Sequence, residues 1–235
     1  MNFFYNNAVN VFTDASTARI KVKGKGKEIN VVCPAYVATI GGGIVEYGST
    51  IISDTTNSYG EIYALLMGIS SLAKYKNSDL FLNVYSDSEI SVKGLTKWIT
   101  TWYNTGKQYY ILRSKSGAPV VNQEIFLEII RCLANTDIHI NILNILGHTD
   151  SENVAQMIKF QRYFYKENNI RPHSIPVEYL QEMAKFNDLV DNMSRNGLYK
   201  VIKEDNPLNH RKLKVPMYWY PKEEDFIKYK SLVNQ

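Results

Sequence analysis

The segment Ala8-Val9-Asn10-Val11-Phe12-Thr13-Asp14 is a short run of apolar, β-branched and aromatic residues that ends in a polar pair. Such a run predicts a buried β-strand, and the aspartate that closes it is expected at the edge of a sheet. Residues 19–30 then interleave lysines with glycines and predict a flexible basic loop. The chain therefore begins with a strand that ends on a carboxylate.

The segments that follow alternate between strand and helix patterns. From about Ser58, apolar residues recur at helical spacing, and Ser58 with Glu61 predicts a capping box at the start of this helix. The glycines at 41–43 predict a bulge or a close backbone approach. Further strands are predicted at 31–45, 47–53, 80–85 and 138–146, and further helices at 88–103, 123–134, 151–167 and 177–195. This order predicts an α/β sheet covered on both faces.

The composition is that of a globular protein and excludes several other classes. The chain has 235 residues, 45% of them hydrophobic, which is enough for a large core and excludes an intrinsically disordered chain. Cys33 and Cys132 form no CxxC pair, which excludes a disulfide scaffold and a cysteine-based zinc site, and Cys132 is expected to pack in the core. No apolar run approaches the roughly 18–20 residues that span a bilayer, and residues 1–10 lack a secretory signal. We therefore expect a soluble, intracellular protein without a membrane partner.

The net charge indicates little by itself. There are 27 lysines and arginines against 23 aspartates and glutamates, a difference of 27 − 23 = +4. Only clustering of such a surplus would point to nucleic acid. The basic residues do cluster, at 21–27, 107–115, 159–166 and 211–214, and we expect these clusters to flank one acidic site.

Three carboxylates occupy positions typical of catalytic groups in such a sheet. Asp14 ends the first strand, Asp87 follows the strand at 80–85, and Glu61 is predicted in the first turn of the intervening helix. Converging carboxylates repel one another unless a cation neutralises them, and oxygen ligands favour Mg²⁺ or Mn²⁺ over zinc. Taken singly, these residues have simpler interpretations as a turn residue, a helix cap and an N-cap.

An ordered set of six segments resembles the type 1 ribonuclease H family. The segments are Phe12-Thr13-Asp14-Ala15-Ser16, Thr56-Asn57-Ser58-Tyr59-Gly60-Glu61, Tyr85-Ser86-Asp87-Ser88, Gly94-Leu95-Thr96-Lys97-Trp98-Ile99-Thr100-Thr101-Trp102, Leu146-Gly147-His148 and Asn187-Asp188-Leu189-Val190-Asp191. The resemblance covers residues 8–195. It implies a mixed five-stranded sheet of the ribonuclease H type with helices on both faces.

The resemblance also implies an activity, namely hydrolysis of the RNA strand of an RNA/DNA hybrid by a two-metal mechanism. Two Mg²⁺ ions, with Mn²⁺ as a substitute, would sit about 4 Å apart. Asp14 would bridge them, and Glu61, Asp87 and Asp191 would complete the ligands. His148 would assist proton transfer or product release, although an exposed loop histidine without a role is an equal alternative.

Contacts to the hybrid follow from the same resemblance. Asn57, Ser58 and Ser88 are the candidates for reading 2′-hydroxyl groups in the minor groove, and Thr56 for holding a DNA phosphate. Trp98 would lie against the DNA strand or, alternatively, pack in the core. The basic protrusion would contribute Lys107, Arg113 and Lys115. The RNA/DNA hybrid is the expected partner, and nothing in the sequence indicates a protein partner.

The resemblance implies a catalytic domain at 1–197, followed by a C-terminal extension at 198–235. The chain departs from the family pattern in three places. Lysines at 21–27 replace a Gly/Pro-rich loop and either contact phosphate or form a solvated turn. A helical insertion at 149–186 carries aromatic and basic residues, which we interpret as a packing face rather than a stacking surface. Because of the insertion, Asp188 is an alternative to Asp191 as the fourth carboxylate. The spacing from Asn187 in the motif favours Asp191. The extension is either a nucleic-acid arm or, as we favour, an apolar strap.

Three hypotheses of function remain open at this point. The first is a Mg²⁺-dependent ribonuclease H. The second is a nucleic-acid-binding module with weak catalysis, against which the complete carboxylate set argues. The third is a DNA-cutting relative of the resolvase or transposase type, against which the Trp98 helix and the Gly147-His148 pair argue.

Overall fold

The sheet is mixed and has five strands in its main order. A computed structural model describes residues 7–21, 28–204 and 219–234. Its strands are β1 (Ala8–Lys21), β2 (Glu28–Ile40), β3 (Gly43–Ser49), β4 (Ile52–Ser53), β5 (Phe81–Ser86) and β6 (Asn141–Asn144). The main order is β3-β2-β1-β5-β6, with the two-residue β4 paired to β2. β1 and β2 are antiparallel, as are β2 and β3, whereas β1, β5 and β6 run parallel. The predicted fold class is confirmed.

Strand β1 is longer than the sequence pattern indicated. It continues to Lys21 and pairs with β2 down to Glu28, so the prediction of a loop is wrong for 19–21 and 28–30. The reason is an apolar stripe on the hairpin: Ala18 and Ile20 pack against Val31 and Cys33 in a small separate cluster. Residues 22–27, with most of the predicted basic loop, lie outside the described residues.

This length changes the position of Asp14 in its strand. The parallel pairing of β1 with β5 ends at Thr13 opposite Ser86, whereas pairing with β2 continues past Asp14. Asp14 therefore lies inside β1, and the prediction that it ends the strand is wrong. It is the first residue of β1 beyond the end of β5, and this step in the sheet places its carboxylate at an open edge.

The glycine run at 41–43 forms a turn rather than a bulge. Gly41 and Gly42 have φ values of 55° and 77° and connect β2 to β3. Side chains are disfavoured in this left-handed region, which is the reason for the glycines. The register shift in this hairpin lies at Ala38 and Thr39 instead.

Helices cover both faces of the sheet. They are α1 (Asn57–Ser71), α2 (Glu89–Lys93), α3 (Ile99–Gly106), α4 (Gln123–Thr136), α5 (Val154–Glu167), α6 (Val177–Glu204) and α7 (Glu223–Leu232). The larger core lies under α1, α3, α4 and α7, and a second core lies under α5 and α6. The helix predicted at 88–103 is interrupted by a π-helical turn, Gly94–Trp98. No helix in the described part of the chain is long and apolar enough to cross a membrane.

The described end of the chain packs back onto the larger core. The ring of Tyr103 stacks between those of Tyr220, at 5.4 Å, and Phe226, at 4.0 Å. Val233 then pairs with Ile140 just before β6. These contacts are those expected of an apolar strap. The predicted division at 197/198 falls within α6, and the basic residues at 211–214 lie outside the described residues.

The insertion helix α5 is amphipathic. Phe160, Phe164 and Tyr165 are buried in the second core, whereas Lys159, Arg162 and Lys166 are exposed. The aromatic residues of this helix thus form its packing face, as we had predicted for the insertion.

Candidate active site

The four predicted carboxylates line one cavity. This cavity of about 500 Å³ lies at the sheet edge where β1 extends past β5. Asp14, Glu61, Asp87 and Asp191 reach it from β1, α1, the turn after β5, and α6. His148 lines it as well. Four sequence-distant segments therefore bring their acidic groups to one place.

Glu61 is held by two hydrogen bonds from neighbouring side chains. The Asn57 amide donates to its Oε1 at 2.7 Å, and the Ser88 hydroxyl donates to its Oε2 at 2.6 Å. Helix α1 begins after Thr56, whose side chain accepts from the Tyr59 N–H, so the predicted capping box of Ser58 and Glu61 is wrong. Glu61 lies one turn into α1 and not in its first turn, because the helix begins earlier than predicted.

Asp14 has the most unfavourable surroundings for a charge. Burial raises the pKa of its carboxyl to about 8, and the charges of Asp87, Asp191 and Glu61 add to the effect. One contact lowers this pKa: the Ala15 N–H donates a hydrogen bond to Asp14 Oδ1 at 2.7 Å. Burial likewise raises the pKa of Asp87 and of Glu61. The cavity holds more negative charge than its own cations balance.

Asp87 is positioned by Gly147 and Asn187. A Cβ on Gly147 would lie 2.3 Å from Asp87 Oδ2, so the loop approaches this carboxylate as closely as only a glycine permits. The Asn187 side chain donates a hydrogen bond to Asp87, which lowers the pKa of that carboxyl against the effect of burial. Asn187 Oδ1 is buried and accepts no hydrogen bond from the described residues.

Helix α6 directs Asp191 into the cavity and Asp188 elsewhere. Asp191 is buried beside Asp14, Glu61 and Asp87, whereas Asp188 is exposed and accepts a hydrogen bond from Asn192. Asp188 lines a neighbouring cavity of about 450 Å³ together with residues of the insertion. The two acids are three positions apart, which is a net rotation of about 60° around α6 and about 4.5 Å along it, and this offset leaves only Asp191 in the cavity.

Two basic side chains approach Asp191. Arg195 Nη2 lies 2.6 Å from Asp191 Oδ2, and His148 Nδ1 lies 3.6 Å from the same oxygen. The His148 side chain is 73% exposed, and its backbone is left-handed at φ 51°. All three residues line both cavities, which therefore adjoin at this point.

Two residues of this site received no role in the sequence analysis. Asn187 is the first residue of the last matching motif, and this position could have identified it as a residue of the site. Arg195 lies four residues after Asp191, the spacing of an ion pair along a helix, and that spacing was also a usable signal. Their partners depend on rotamers and on neighbouring elements, which the spacing alone does not specify.

The chemistry of the cavity fits a hard divalent cation. Its acidic groups all offer carboxylate oxygens, which Mg²⁺ and Mn²⁺ prefer, and Asn187 Oδ1 is a further buried oxygen without a donor. Within the described ranges, no three Asp, Glu, His or Cys side chains are arranged closely enough to hold a metal ion. Asp191 Oδ2 is engaged by Arg195, so a metal bound through this oxygen would compete with the ion pair.

The predicted hybrid contacts differ in accessibility. Thr56 is exposed, Asn57 and Ser58 are half-buried, and Ser88 is buried with its hydroxyl directed to Glu61. Trp98 is 38% exposed, with its ring centroid 5.8 Å from that of Trp102. Trp98 is therefore not part of the core: it contacts Trp102, which packs against the larger core, and keeps an accessible surface.

The predicted protrusion also contains both free and engaged groups. Lys107 and Lys115 are exposed. The Arg113 guanidinium donates to the Gly117 carbonyl at 2.7 Å and lies over the Tyr109 ring at 4.2 Å. Arg113 thus stabilises the irregular loop between α3 and α4, and Lys107 and Lys115 are the available cations.

The sequence of the chain matches a known protein family. The family model described as RNase H matches residues 6–156, which is more than half of the chain. The match includes Asp14, Glu61, Asp87 and His148, and ends before α6 and Asp191. Ribonuclease H1 of Rattus norvegicus is 31% identical over 94 residues, which are 40% of this chain and 30% of that protein. The chain thus spans about a third of the length of this curated relative.

Two solved structures share the fold. A foamy viral protease-reverse transcriptase in complex with RNA/DNA hybrid superposes with a TM-score of 0.55 at 15% identity, covering 83% of this chain and 20% of the other. The solution structure of the PFV RNase H domain superposes with a TM-score of 0.50 at 16% identity, covering 82% of this chain and 94% of that domain. At these identities the likeness concerns the fold alone.

Proposed function

The chain belongs to the ribonuclease H family, and we propose that it hydrolyses the RNA strand of RNA/DNA hybrids by a two-metal mechanism. The observation that carries this proposal is the convergence of Asp14, Glu61, Asp87 and Asp191 on one cavity at the sheet edge. A pure binding module has no need to hold four mutually repelling acids together. The family relationship and the hybrid bound by the foamy viral structure support the choice of substrate.

The four carboxylates, Asp14, Glu61, Asp87 and Asp191, would hold the two ions, Mg²⁺ or Mn²⁺. When bound, such ions neutralise the charge that develops on the attacking and leaving oxygens of an in-line displacement. Asn57 and Ser88 keep both oxygens of Glu61 in fixed directions, and Gly147 and Asn187 do the same for Asp87. The orientation of Glu61 and Asp87 by these neighbours is what the chain itself would contribute to the reaction.

His148 is suited to proton transfer at the edge of the cavity. Its side chain is largely exposed, approaches Asp191 at 3.6 Å and interacts electrostatically with Asp87, so the imidazole can move toward a leaving group or a product. The position of His148 on the wall of the cavity, beside Asp191, is the feature that supports this role over that of an exposed loop histidine without a function.

Recognition of the hybrid would use the accessible groups around the cavity. We assign 2′-hydroxyl contacts to Asn57 and Ser58 and a DNA phosphate to Thr56. Trp98 would lie against the DNA strand, and Lys107 and Lys115 would contact its backbone, with Arg113 shaping their loop. Ser88 was predicted as a further contact, and its burial favours the role of positioning Glu61.

The deciding experiment is cleavage of end-labelled duplexes with Mg²⁺. We expect the chain to cut RNA in an RNA/DNA hybrid and to leave duplex DNA and duplex RNA intact. Asp14→Asn should abolish cutting, whereas Asp79→Asn at an exposed position should not. Equal cutting of duplex DNA would contradict the proposed substrate, and hybrid binding without any cutting would favour the binding module.

A further inference from the structure

The insertion presents a basic surface that the proposed reaction does not use. We define the α5 basic face as the exposed residues Lys159, Arg162 and Lys166. Their spacing of three and four residues places them on one side of α5. The opposite side is occupied by Phe160 and Phe164 in the second core, so this orientation is fixed by packing.

The α5 basic face is not neutralised within the protein. None of its three residues forms an ion pair with a carboxylate in the described part of the chain. Glu167, the adjacent acid on α5, lies 3.1 Å from Lys93 of α2, which also pairs with Glu89, so this lysine balances the charge of Glu167 only in part. Three cations therefore remain directed to solvent over about 10 Å of helix.

This face adjoins the helix predicted to contact the DNA strand. The Lys93–Glu167 ion pair joins the end of α5 to α2, which leads directly into the turn that carries Lys97 and Trp98. Lys97 and Lys166 both lie close enough to Glu167 to lower the pKa of its carboxyl. Lys97 is exposed, as is part of Trp98. Basic groups of the insertion and of the Trp98 helix thus form one surface.

The same surface reaches the catalytic edge of the sheet. The Tyr163 hydroxyl of α5 donates a hydrogen bond to Asn144 at the end of β6, beside the end of β5. The Asn168 side chain, just after α5, accepts from the Asn144 N–H at 2.7 Å and donates to its carbonyl at 2.7 Å. These bonds fix α5 against the edge from which Asp87 projects.

We propose that the α5 basic face binds the sugar–phosphate backbone of the nucleic-acid duplex beyond the site of cleavage. The inference rests on the proposed function for the identity of the duplex. One strand carries a charge every ~3.4 Å along the axis, so a 10 Å row of cations matches about three phosphates. Continuity with Lys97 and Trp98 favours nucleic acid over an acidic protein as the ligand.

The test compares two matched double variants. Lys159→Gln/Lys166→Gln removes two charges from the α5 basic face. Lys76→Gln/Lys230→Gln removes two exposed lysines near the starts of β5 and β6, at the opposite sheet edge. Both are made with Asp14→Asn to prevent cutting, and binding of a fluorescent 30-base-pair hybrid is measured by anisotropy at several salt concentrations. Thermal melting verifies that each variant folds.

We expect the α5 variant to bind about tenfold more weakly at 0.1 M salt and its log–log salt slope to fall by about 2, since each phosphate contact contributes about 0.9. The control variant should change affinity less than twofold. Equal binding by both variants, or no duplex binding by the Asp14→Asn chain, would overturn the α5 proposal.

Cleavage by the chain with Asp14 intact separates the two proposals. If it cuts the hybrid while the two double variants bind equally, only the α5 proposal fails. If the α5 variant alone loses binding and the parent chain cuts no hybrid, the surface stands and the proposed function fails.

Discussion

Arg195 Nη2 lies 2.6 Å from Asp191 Oδ2, one helical turn away on α6, so one of the four clustered carboxylates is paired with a cation of the chain itself. A metal bound through this oxygen of Asp191 competes with the Arg195 guanidinium for it, and the positive charge of Arg195 also repels the ion. We therefore predict that Arg195→Gln binds Mg²⁺ several-fold more tightly than the parent chain, as measured by isothermal titration calorimetry without nucleic acid. Arg162→Gln, which removes an equal charge on α5, should have little effect. Unchanged or weaker affinity in Arg195→Gln would show that the pair does not compete with the metal.

Asp14 links stability to pH. Its pKa is raised from the usual 3.8 to about 8 in the folded chain, so its protonated form stabilises the fold. That contribution is complete below about pH 4, where the unfolded chain is also protonated, and it is lost as pH rises to about 8.

Without metal, Asp14→Asn should therefore melt higher than the parent chain at neutral pH, by roughly 2–6 °C, with the gap widening from pH 4 to pH 8. Melting curves in a chelator check this, with Asp79→Asn as the surface control. The same Asp14→Asn chain should have lost hybrid cleavage. A gap that is constant with pH would contradict the electrostatic origin of the effect.

The two acids of α6 give a direct comparison. Asp191 lies in the cavity with Asp14, whereas Asp188 is exposed and bonded to Asn192. We predict that Asp191→Asn lowers the rate of hybrid cleavage at least 10²-fold and that Asp188→Asn lowers it less than about fivefold. Single-turnover rates at saturating Mg²⁺ measure this, and a larger loss at Asp188 would reassign the fourth ligand.

Gly147 controls the position of Asp87. A methyl group there would lie 2.3 Å from Asp87 Oδ2 and must displace either the carboxylate or the loop. We expect Gly147→Ala to reduce the cleavage rate about 10²-fold, because misplacement by about 1 Å has effects of that size. Gly43→Ala, whose added Cβ would be 3.5 Å from its nearest neighbour, is the matched control. Near-normal activity of Gly147→Ala with an unchanged melting temperature would contradict the tight approach.

Ser88 affects the ionisation of Glu61. Its hydrogen bond lowers the pKa of the Glu61 carboxyl, which burial raises. Ser88→Ala should therefore raise that pKa and shift the acid limb of the pH–rate profile upward, with a greater loss at pH 6 than at pH 8. Ser78→Ala, at an exposed hydroxyl before β5, should leave the profile in place. A uniform loss at all pH values would contradict an effect through the ionisation of Glu61.

Short-range patterns predicted most of the fold correctly. Apolar runs and helical spacing located the strands β5 and β6 and the helices α1, α4 and α5 within a few residues, because these elements bury one continuous stripe. The errors lie where long-range pairing overrides local signals. Residues 19–21, two of them charged, are in β1 because β2 pairs with them, and the helix predicted at 88–103 contains a π-helical turn.

The sequence by itself determined the acidic residues, their order and the family resemblance, since each motif is local in the chain. Only the tertiary structure decided how these residues meet. Asp14 lines the cavity because the pairing of β1 with β5 ends at Thr13, and Asp191 rather than Asp188 enters the cavity because α6 packs with that side toward the sheet. The pairing of Arg195 with Asp191 and the direction of the α5 basic face have the same cause. Burial of apolar residues fixes the rotation of each helix, and that rotation decides which polar side chains share a surface.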